Sequence, residues 1–388
     1  MSVTAPAGFE AAGIARGLKS SGDRDLALVV NRGPSTAAAA VFTSNRCKAN
    51  PILWSEQVIR DGSVLAVILN SGGANCYTGT FGFQTTHATA EAVAEALSVS
   101  AGDVIVCSTG LIGTGDQVFR DRVVGGVPGV VAALTQNGGT DAALAIMTTD
   151  TKAKQSVAAG DGWSIGGMAK GAGMLAPGLA TMLVVITTDA DLPAAALDRA
   201  LRAATRVTFD RLDSDGCMST NDTVTLMASG ASGVVPDEAT FTAALTGLCH
   251  DLALQLQADA EGASHDITIT VVNAEAEDQA VTVGRSVSRS NLFKAAIFGN
   301  DPNWGRVLAA VGTVSEAEAT FDPYNIDVTI NGVMICKAGE PFEDRDLIDL
   351  TPRAVTVLID LHSGDAVASI YTNDLTHDYV HENSAYAS

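Results

Sequence analysis

The chain has 388 residues, 47% of them hydrophobic, and a formal net charge of −21 at pH 7. That length buries a large core and divides into two or three lobes, and the acidity excludes nucleic acid and anionic membranes as partners, since both demand basic patches. The excess is uneven: residues 1–180 carry 12 basic and 13 acidic side chains, residues 181–388 carry 11 and 31. No apolar run reaches the ~20 residues that span a bilayer. The first residues lack the basic-then-apolar order of a secretory signal. Six cysteines (Cys47, Cys76, Cys107, Cys217, Cys249 and Cys336) are scattered and never form CxxC, which suits buried thiols in a reducing cytoplasm better than disulfides or zinc.

In chain order, residues 26–30, 38–42 and 64–69 read as short strands bounded by Gly, Asn and Ser. The third opens into the polar loop Asn70-Ser71-Gly72-Gly73-Ala74-Asn75. A helix over 85–97 puts Ala88, Val93, Ala94 and Leu97 toward one face. A strand over 103–107 runs into Ser108-Thr109-Gly110, which can aim a hydroxyl and a backbone N–H at one point, the equipment of an oxyanion hole. The Gly110–Gly115 spacing resembles a phosphate loop, but no Lys-Ser/Thr follows, which argues against nucleotide. Residues 130–136 and 142–145 read as helical pieces.

The segment 166–190 organises the chain. Its first half is glycine-rich, reads as a flexible turn, and carries one charge, Lys170. Its second half, from Met182, is an apolar, β-branched run that reads as a buried strand. Thr181 stands at the junction, preceded by Pro177-Gly178-Leu179-Ala180. A Thr hydroxyl needs an adjacent base to act as a nucleophile. Cutting the Ala180–Thr181 bond would supply one, because the new α-amine has a pKa near 8. From composition alone the simpler reading is a strand that happens to begin with Thr.

Beyond it, a helix over 192–207 is expected, with Asp191 as N-cap. A long helix over 241–257 carries Leu245, Leu248, Leu252 and Leu256 as its stripe, and a strand over 268–272 follows. Asn331-Gly332 marks a hairpin, and strands are expected over 355–361 and 366–372. The carboxylates of 213–222 miss calcium-loop spacing. His377 and His381 lie four apart with no evident third ligand, so solvated histidines are the better reading there than a metal site.

Lys170-Gly171-Ala172-Gly173-Met174-Leu175-Ala176-Pro177 and Leu179-Ala180-Thr181-Met182-Leu183 together resemble the self-cleavage segment of the ornithine acetyltransferase family, also called glutamate N-acetyltransferase, of arginine biosynthesis. The likeness extends to Asn70–Asn75, to Ser108–Gly113, to Ile146-Met147-Thr148-Thr149-Asp150-Thr151, to Ser219-Thr220-Asn221-Asp222-Thr223, to Glu261-Gly262-Ala263 and to the 288–306 block. Two places depart from the family pattern: Lys152-Ala153, where a Pro usually precedes Lys, and Cys217-Met218.

The resemblance implies a mixed α/β (α+β) fold, an α–β–β–α sandwich with a smaller C-terminal α/β lobe. It implies self-cleavage between Ala180 and Thr181 into chains 1–180 and 181–388, which assemble as a heterotetramer. Thr181 is then the nucleophile, Thr109 and Gly110 stabilise the oxyanion, and Thr148, Lys170, Thr181, Glu261, Asn383 and Ser388 bind substrate. The implied reaction moves acetyl from N2-acetyl-L-ornithine to L-glutamate through an acetyl-Thr181 intermediate, with no metal or organic cofactor, in the cytoplasm. Whether acetyl-CoA also serves as donor stays open. Two other readings share these residues: an N-terminal-nucleophile aminopeptidase of related fold, and a non-catalytic amino-acid-binding protein.

Overall fold

The computed structural model describes residues 2–175 and 182–385. It divides into two compact units. One takes in the described residues of Met1–Asp210 and Cys217–Asp259; the smaller takes in Arg211–Gly216 and the described residues of Ala260–Tyr386.

The strands of the larger unit are β1 (Phe9–Ile14), β2 (Leu26–Asn31), β3 (Ala38–Phe42), β4 (Ala66–Asn70), β5 (Val104–Ser108), β6 (Lys154–Ala159), β7 (Ser164–Lys170), β8 (Leu183–Thr188) and β9 (Thr223–Ala228). Its helices are α1 (Asn50–Val58), α2 (Gly79–Leu97), α3 (Gln117–Val124), α4 (Val127–Ala132), α5 (Gly139–Ala145), α6 (Ala194–Val207) and α7 (Glu238–Ala258). Two sheets form, in the orders β1-β2-β4-β5 and β3-β9-β8-β7-β6.

The burial pattern explains the layering. Ala27, Val29, Val67, Leu69, Ile105 and Cys107 of the first sheet share a core with Ala38, Ala40, Met168, Leu183, Val185 and Met227 of the second. The alternate residues Leu28, Val30, Ile68 and Val106 turn outward onto α2, α3 and α4 through Ala90, Val93, Phe119, Val123 and Val127. Strands buried on both faces read as continuous apolar runs, as β2, β4, β5 and β8 do. Helices α6 and α7 cover the second sheet. The result is the expected α–β–β–α sandwich.

Three local expectations need correction. Residues 166–170 are not a turn: Gly166, Gly167 and Lys170 lie in β7, hydrogen-bonded between β6 and β8 and buried along nearly its whole length. Glycine count outweighed β-branched content in the sequence, whereas packing on both faces decided for strand. Helix α6 begins at Ala194 with Pro193 as N-cap and no side-chain cap; the Asp191 N–H donates instead to Val234 O. Helix α2 starts at Gly79, six residues before the periodic pattern becomes visible.

The smaller unit holds β10 (Asp266–Ala274), β11 (Asp327–Ile330), β12 (Val333–Lys337), β13 (Glu340–Pro341), β14 (Ala354–Asp360) and β15 (Ala366–Asn373), with α8 (Glu277–Ser288), α9 (Asn291–Phe298), α10 (Trp304–Val311) and α11 (His377–Ala385). Its sheet runs β13-β12-β11-β14-β10-β15, with β10 and β14 parallel. Ile267, Ile269 and Val271 alternate with less buried residues and pack with Val355, Val357 and Ile359 against Val283, Phe293 and Val307 of the helices. One covered face and one wetter face give the period-two pattern seen in the sequence. Asn331-Gly332 does turn β11 into β12. No helix among the described residues is long and apolar enough to cross a membrane.

Candidate active site

Strand ends build the site. β4 and β5 are parallel neighbours, so Asn70 and Ser108 finish side by side, and Asn70 Nδ2 donates to Ser108 Oγ at 2.6 Å. Thr109 follows, its N–H on Asn70 O at 3.0 Å, while its own carbonyl accepts from Gly73 N at 3.0 Å. The Asn70–Asn75 loop and the Ser108-Thr109-Gly110 loop are thus laced together. Gly110 has φ +127°, and a Cβ there would stand 2.8 Å from Gly73 N. Only glycine fits that close approach of two backbones.

Lys170, the last residue of β7, is 1% exposed. Its Nζ donates to Thr148 Oγ1 at 2.7 Å and to Thr109 Oγ1 at 3.2 Å. Three residues expected at one site, widely separated in sequence, therefore meet. An accepting hydroxyl keeps its own proton to donate, and the ammonium polarises that O–H. Thr109 is consequently a strengthened donor beside a buried cation.

Asp150 positions this group. It accepts from the Gly171 N–H at 2.6 Å and from Lys154 Nζ at 2.6 Å on Oδ1, and from the Thr148 N–H at 2.9 Å on Oδ2. Lys154 also pairs with Asp259 at 2.6 Å, and Asp259 accepts the Thr151 N–H at 2.9 Å. Burial works against ionisation, yet the Lys170 and Lys154 charges and these hydrogen bonds hold the Asp150 carboxyl below its ordinary range. Lys154 and Asp259 were not singled out from sequence, and Asp150 appeared only as a letter of a motif. The Lys152-Ala153 departure leads directly into the buried Lys154.

Asp222 was also missed as an individual residue. It is fully buried beside the start of β8, and its Oδ1 accepts the Met182 N–H at 3.1 Å. Burial pushes its carboxyl well above the ordinary range, partly offset by that hydrogen bond and by the Lys170 charge.

The register sets what faces Lys170. β7 and β8 are antiparallel, with Lys170 opposite Leu183. Ala180, Thr181 and Ser388 themselves lie outside the described residues.

In the smaller unit, Asn383 Nδ2 donates to Glu261 Oε2 at 3.0 Å, so these two expected substrate ligands meet as well. The tail is seated by Gly262, at φ +61°, where a Cβ would stand 2.3 Å from Tyr379 N, and by Thr376 Oγ1 donating to Gly262 O at 2.6 Å. Lys294, of unassigned role in the sequence, is buried and donates to Ser214 O. Burial lowers its pKa against the pull of Asp215, Asp213 and Asp374. Among the described residues, Asp327, Asp360 and His362 could geometrically hold a cation, but they bond one another, with His362 Nε2 3.0 Å from Asp327. His377 packs T-shaped with Phe298, ring centroids 5.4 Å apart.

A helix-covered double sheet whose inner strand ends gather hydroxyls around a buried ammonium defines a mixed α/β enzyme. The chain belongs to the ArgJ family, which matches residues 10–388. It is 62% identical over 388 residues, all of both chains, to the arginine biosynthesis bifunctional protein ArgJ of Streptomyces coelicolor. It is 58% identical, again over all of both chains, to that of Thermobifida fusca. The crystallised ornithine acetyltransferase of Mycobacterium tuberculosis, solved with ornithine, is 55% identical over 47% of this chain and 96% of that one, with a TM-score of 0.44.

Proposed function

We propose that the protein is a glutamate N-acetyltransferase of arginine biosynthesis that transfers acetyl from N2-acetyl-L-ornithine to L-glutamate. The observation that carries the reading is Lys170 donating to both Thr148 and Thr109 at the strand end opposite Leu183, two residues from Thr181. The full-length relatives are named for arginine biosynthesis, which favours acetyl transfer over peptide hydrolysis.

In maturation, Thr181 Oγ attacks the Ala180 carbonyl, the peptide C–N bond breaks with the hydroxyl proton passing to the nitrogen, which frees the Thr181 amine and leaves an ester on Oγ, and water then hydrolyses that ester to the Ala180 carboxylate and the Thr181 hydroxyl. The products are chains 1–180 and 181–388, which stay together and assemble as a heterotetramer. In turnover, the free amine takes the proton from Oγ, which bonds to the acetyl carbon of acetyl-ornithine. The negative oxygen of the tetrahedral intermediate is held by the Thr109 hydroxyl and the Gly110 N–H. The C–N bond breaks, and ornithine leaves with the proton on its nitrogen. The amine of glutamate then attacks the ester, its C–N bond forms, the C–O bond breaks, and Thr181 regains its proton.

Thr148, Lys170, Thr181, Glu261, Asn383 and Ser388 bind the substrate. A carboxylate at Glu261 is complementary to the ornithine ammonium. Acetyl-CoA is the second donor in this reading, and a second activity is in keeping with the word "bifunctional" in the relatives' names. The working compartment is the cytoplasm.

The test is mass spectrometry of the purified protein, quenched with and without N2-acetyl-ornithine. Two fragments, matching 1–180 and 181–388, with one added acetyl group on the second, are the expected result. A single uncut chain with no adduct would overturn the reading.

A further inference from the structure

The start of β8 is held from both sides by the start of β9. Because the two strands are parallel, with Leu183 beside Thr223, Met182 and Asp222 precede them as neighbours. Met182 O accepts from Thr223 N at 3.1 Å, and Met182 N donates to Asp222 Oδ1 at 3.1 Å. That second bond is unusual for its place. A parallel ladder supplies backbone acceptors, yet here a fully buried side-chain carboxyl takes the N–H.

The N–H in question belongs to the peptide bond that joins Thr181 to Met182. Asp222 Oδ1 therefore grips the chain one peptide bond after residue 181. The grip is itself supported: Thr43 N donates to Asp222 O at 3.0 Å and Ala49 N to Thr220 O at 3.0 Å, so the 43–49 loop clamps the 219–222 turn.

We propose that Asp222 is the positioning residue of the nucleophile, its carboxyl fixing the peptide that follows Thr181 and so the direction in which the Thr181 hydroxyl meets both the Ala180 carbonyl and the acetyl donor. The proposal rests on Thr181 being the nucleophile. It accounts for an acid at the start of a buried strand, where an apolar residue would be cheaper to bury. The uncharged acid suffices, because what the grip needs is an acceptor oxygen in a fixed place, and complete burial favours that form.

The experiment compares Asp222→Ala, Asp222→Asn and Thr181→Ala with the wild-type chain, reading the rate of conversion to two fragments, kcat, KM and the thermal transition. Displacing a nucleophile by about 1 Å costs on the order of 100-fold. Asp222→Ala is expected to lose about that factor in both cleavage rate and kcat, with KM for acetyl-ornithine and glutamate held within about threefold. Asp222→Asn keeps the acceptor oxygen and is expected to recover most of the loss, to within about tenfold of wild type.

A folded Asp222→Ala protein with wild-type kcat overturns the proposal. So does an Asp222→Asn protein as impaired as Asp222→Ala, since the charge and not the grip would then be in use. If Asp222→Ala does not fold, Asp222→Glu decides. Its extra methylene moves the acceptor, so reduced kcat with a normal thermal transition supports the proposal, and wild-type kcat sinks it. Normal turnover by Thr181→Ala removes the nucleophile reading itself. An inactive Thr181→Ala beside an unimpaired Asp222→Ala removes the Asp222 proposal alone.

Discussion

Lys170 Nζ stands 2.7 Å from Thr148 Oγ1, a buried ammonium on a half-buried hydroxyl, and the same nitrogen reaches Thr109 Oγ1 at 3.2 Å. The pair joins a strand end to a loop end and makes one cation serve two expected substrate-facing groups. Replacing Lys170 with Met should leave the chain folded but strip that polarisation. Loss of one oxyanion donor costs about 100- to 1000-fold in kcat. Thr109→Val is expected in that range, with slowed fragment formation. Lys170→Met should raise KM as well as lower kcat, checked by steady-state kinetics at varied acetyl-ornithine.

Gly110→Ala tests the backbone crossing. The φ of +127° and a Cβ only 2.8 Å from Gly73 N leave no room for a methyl group. Strain at such a position costs about 1–3 kcal/mol, and the N–H at residue 110 shifts with it. Both a lower unfolding midpoint in denaturant and near-complete loss of turnover are expected.

Lys154 pairs with Asp150 and Asp259 at 2.6 Å each, with almost no exposure of any of the three side chains. Breaking a buried pair by removing one partner costs about 3–5 kcal/mol, so Lys154→Met should lose that much in chemical denaturation and leave two carboxylates facing each other. The pH sign follows from Asp150, whose folded pKa lies below its unfolded value. Its contribution is fully present above the unfolded value of about 3.9 and is lost as pH falls through the lower folded value. In Lys154→Met that loss should begin at higher pH, measured as thermal midpoint between neutral and acid conditions.

Asp222 has the opposite sign. Burial raises its folded pKa well above the unfolded value, so its contribution is present below about pH 4 and is lost as pH rises toward the folded value. Asp222→Asn carries no such titration. The thermal midpoint of that variant relative to wild type should rise steadily from acid to mildly alkaline pH; a constant difference would show that Asp222 ionises normally in the folded chain.

The six thiols divide by burial. Cys47 and Cys217 are exposed and the other four are buried. Burial pushes Cys107 up to about 12, a hydrogen bond with Thr223 opposing it, and burial also raises Cys249. A thiol-specific reagent near neutral pH should modify Cys47 and Cys217 in the native protein and reach the rest only after unfolding, read by peptide mapping.

The sequence by itself determined the elements whose chemistry is local. The apolar run of β8, the stripe of α7 and the Asn331-Gly332 hairpin follow from side-chain period and turn chemistry. The motif letters at Thr109, Thr148, Lys170, Glu261 and Asn383 were legible too, each beside its own strand or helix end. What periodicity could not carry was anything resting on neighbours distant in sequence. β7 looked like a turn because its glycines outweigh its branched residues, and only packing between β6 and β8 makes it a buried strand. Asp191 looked like a helix cap until its backbone found Val234. Lys154, Asp259 and Asp222 are unremarkable letters whose roles arise when the parallel and antiparallel registers bring strand starts and ends together. A buried charge or carboxyl is stable only with the partners the fold supplies, so its meaning was decided by tertiary structure.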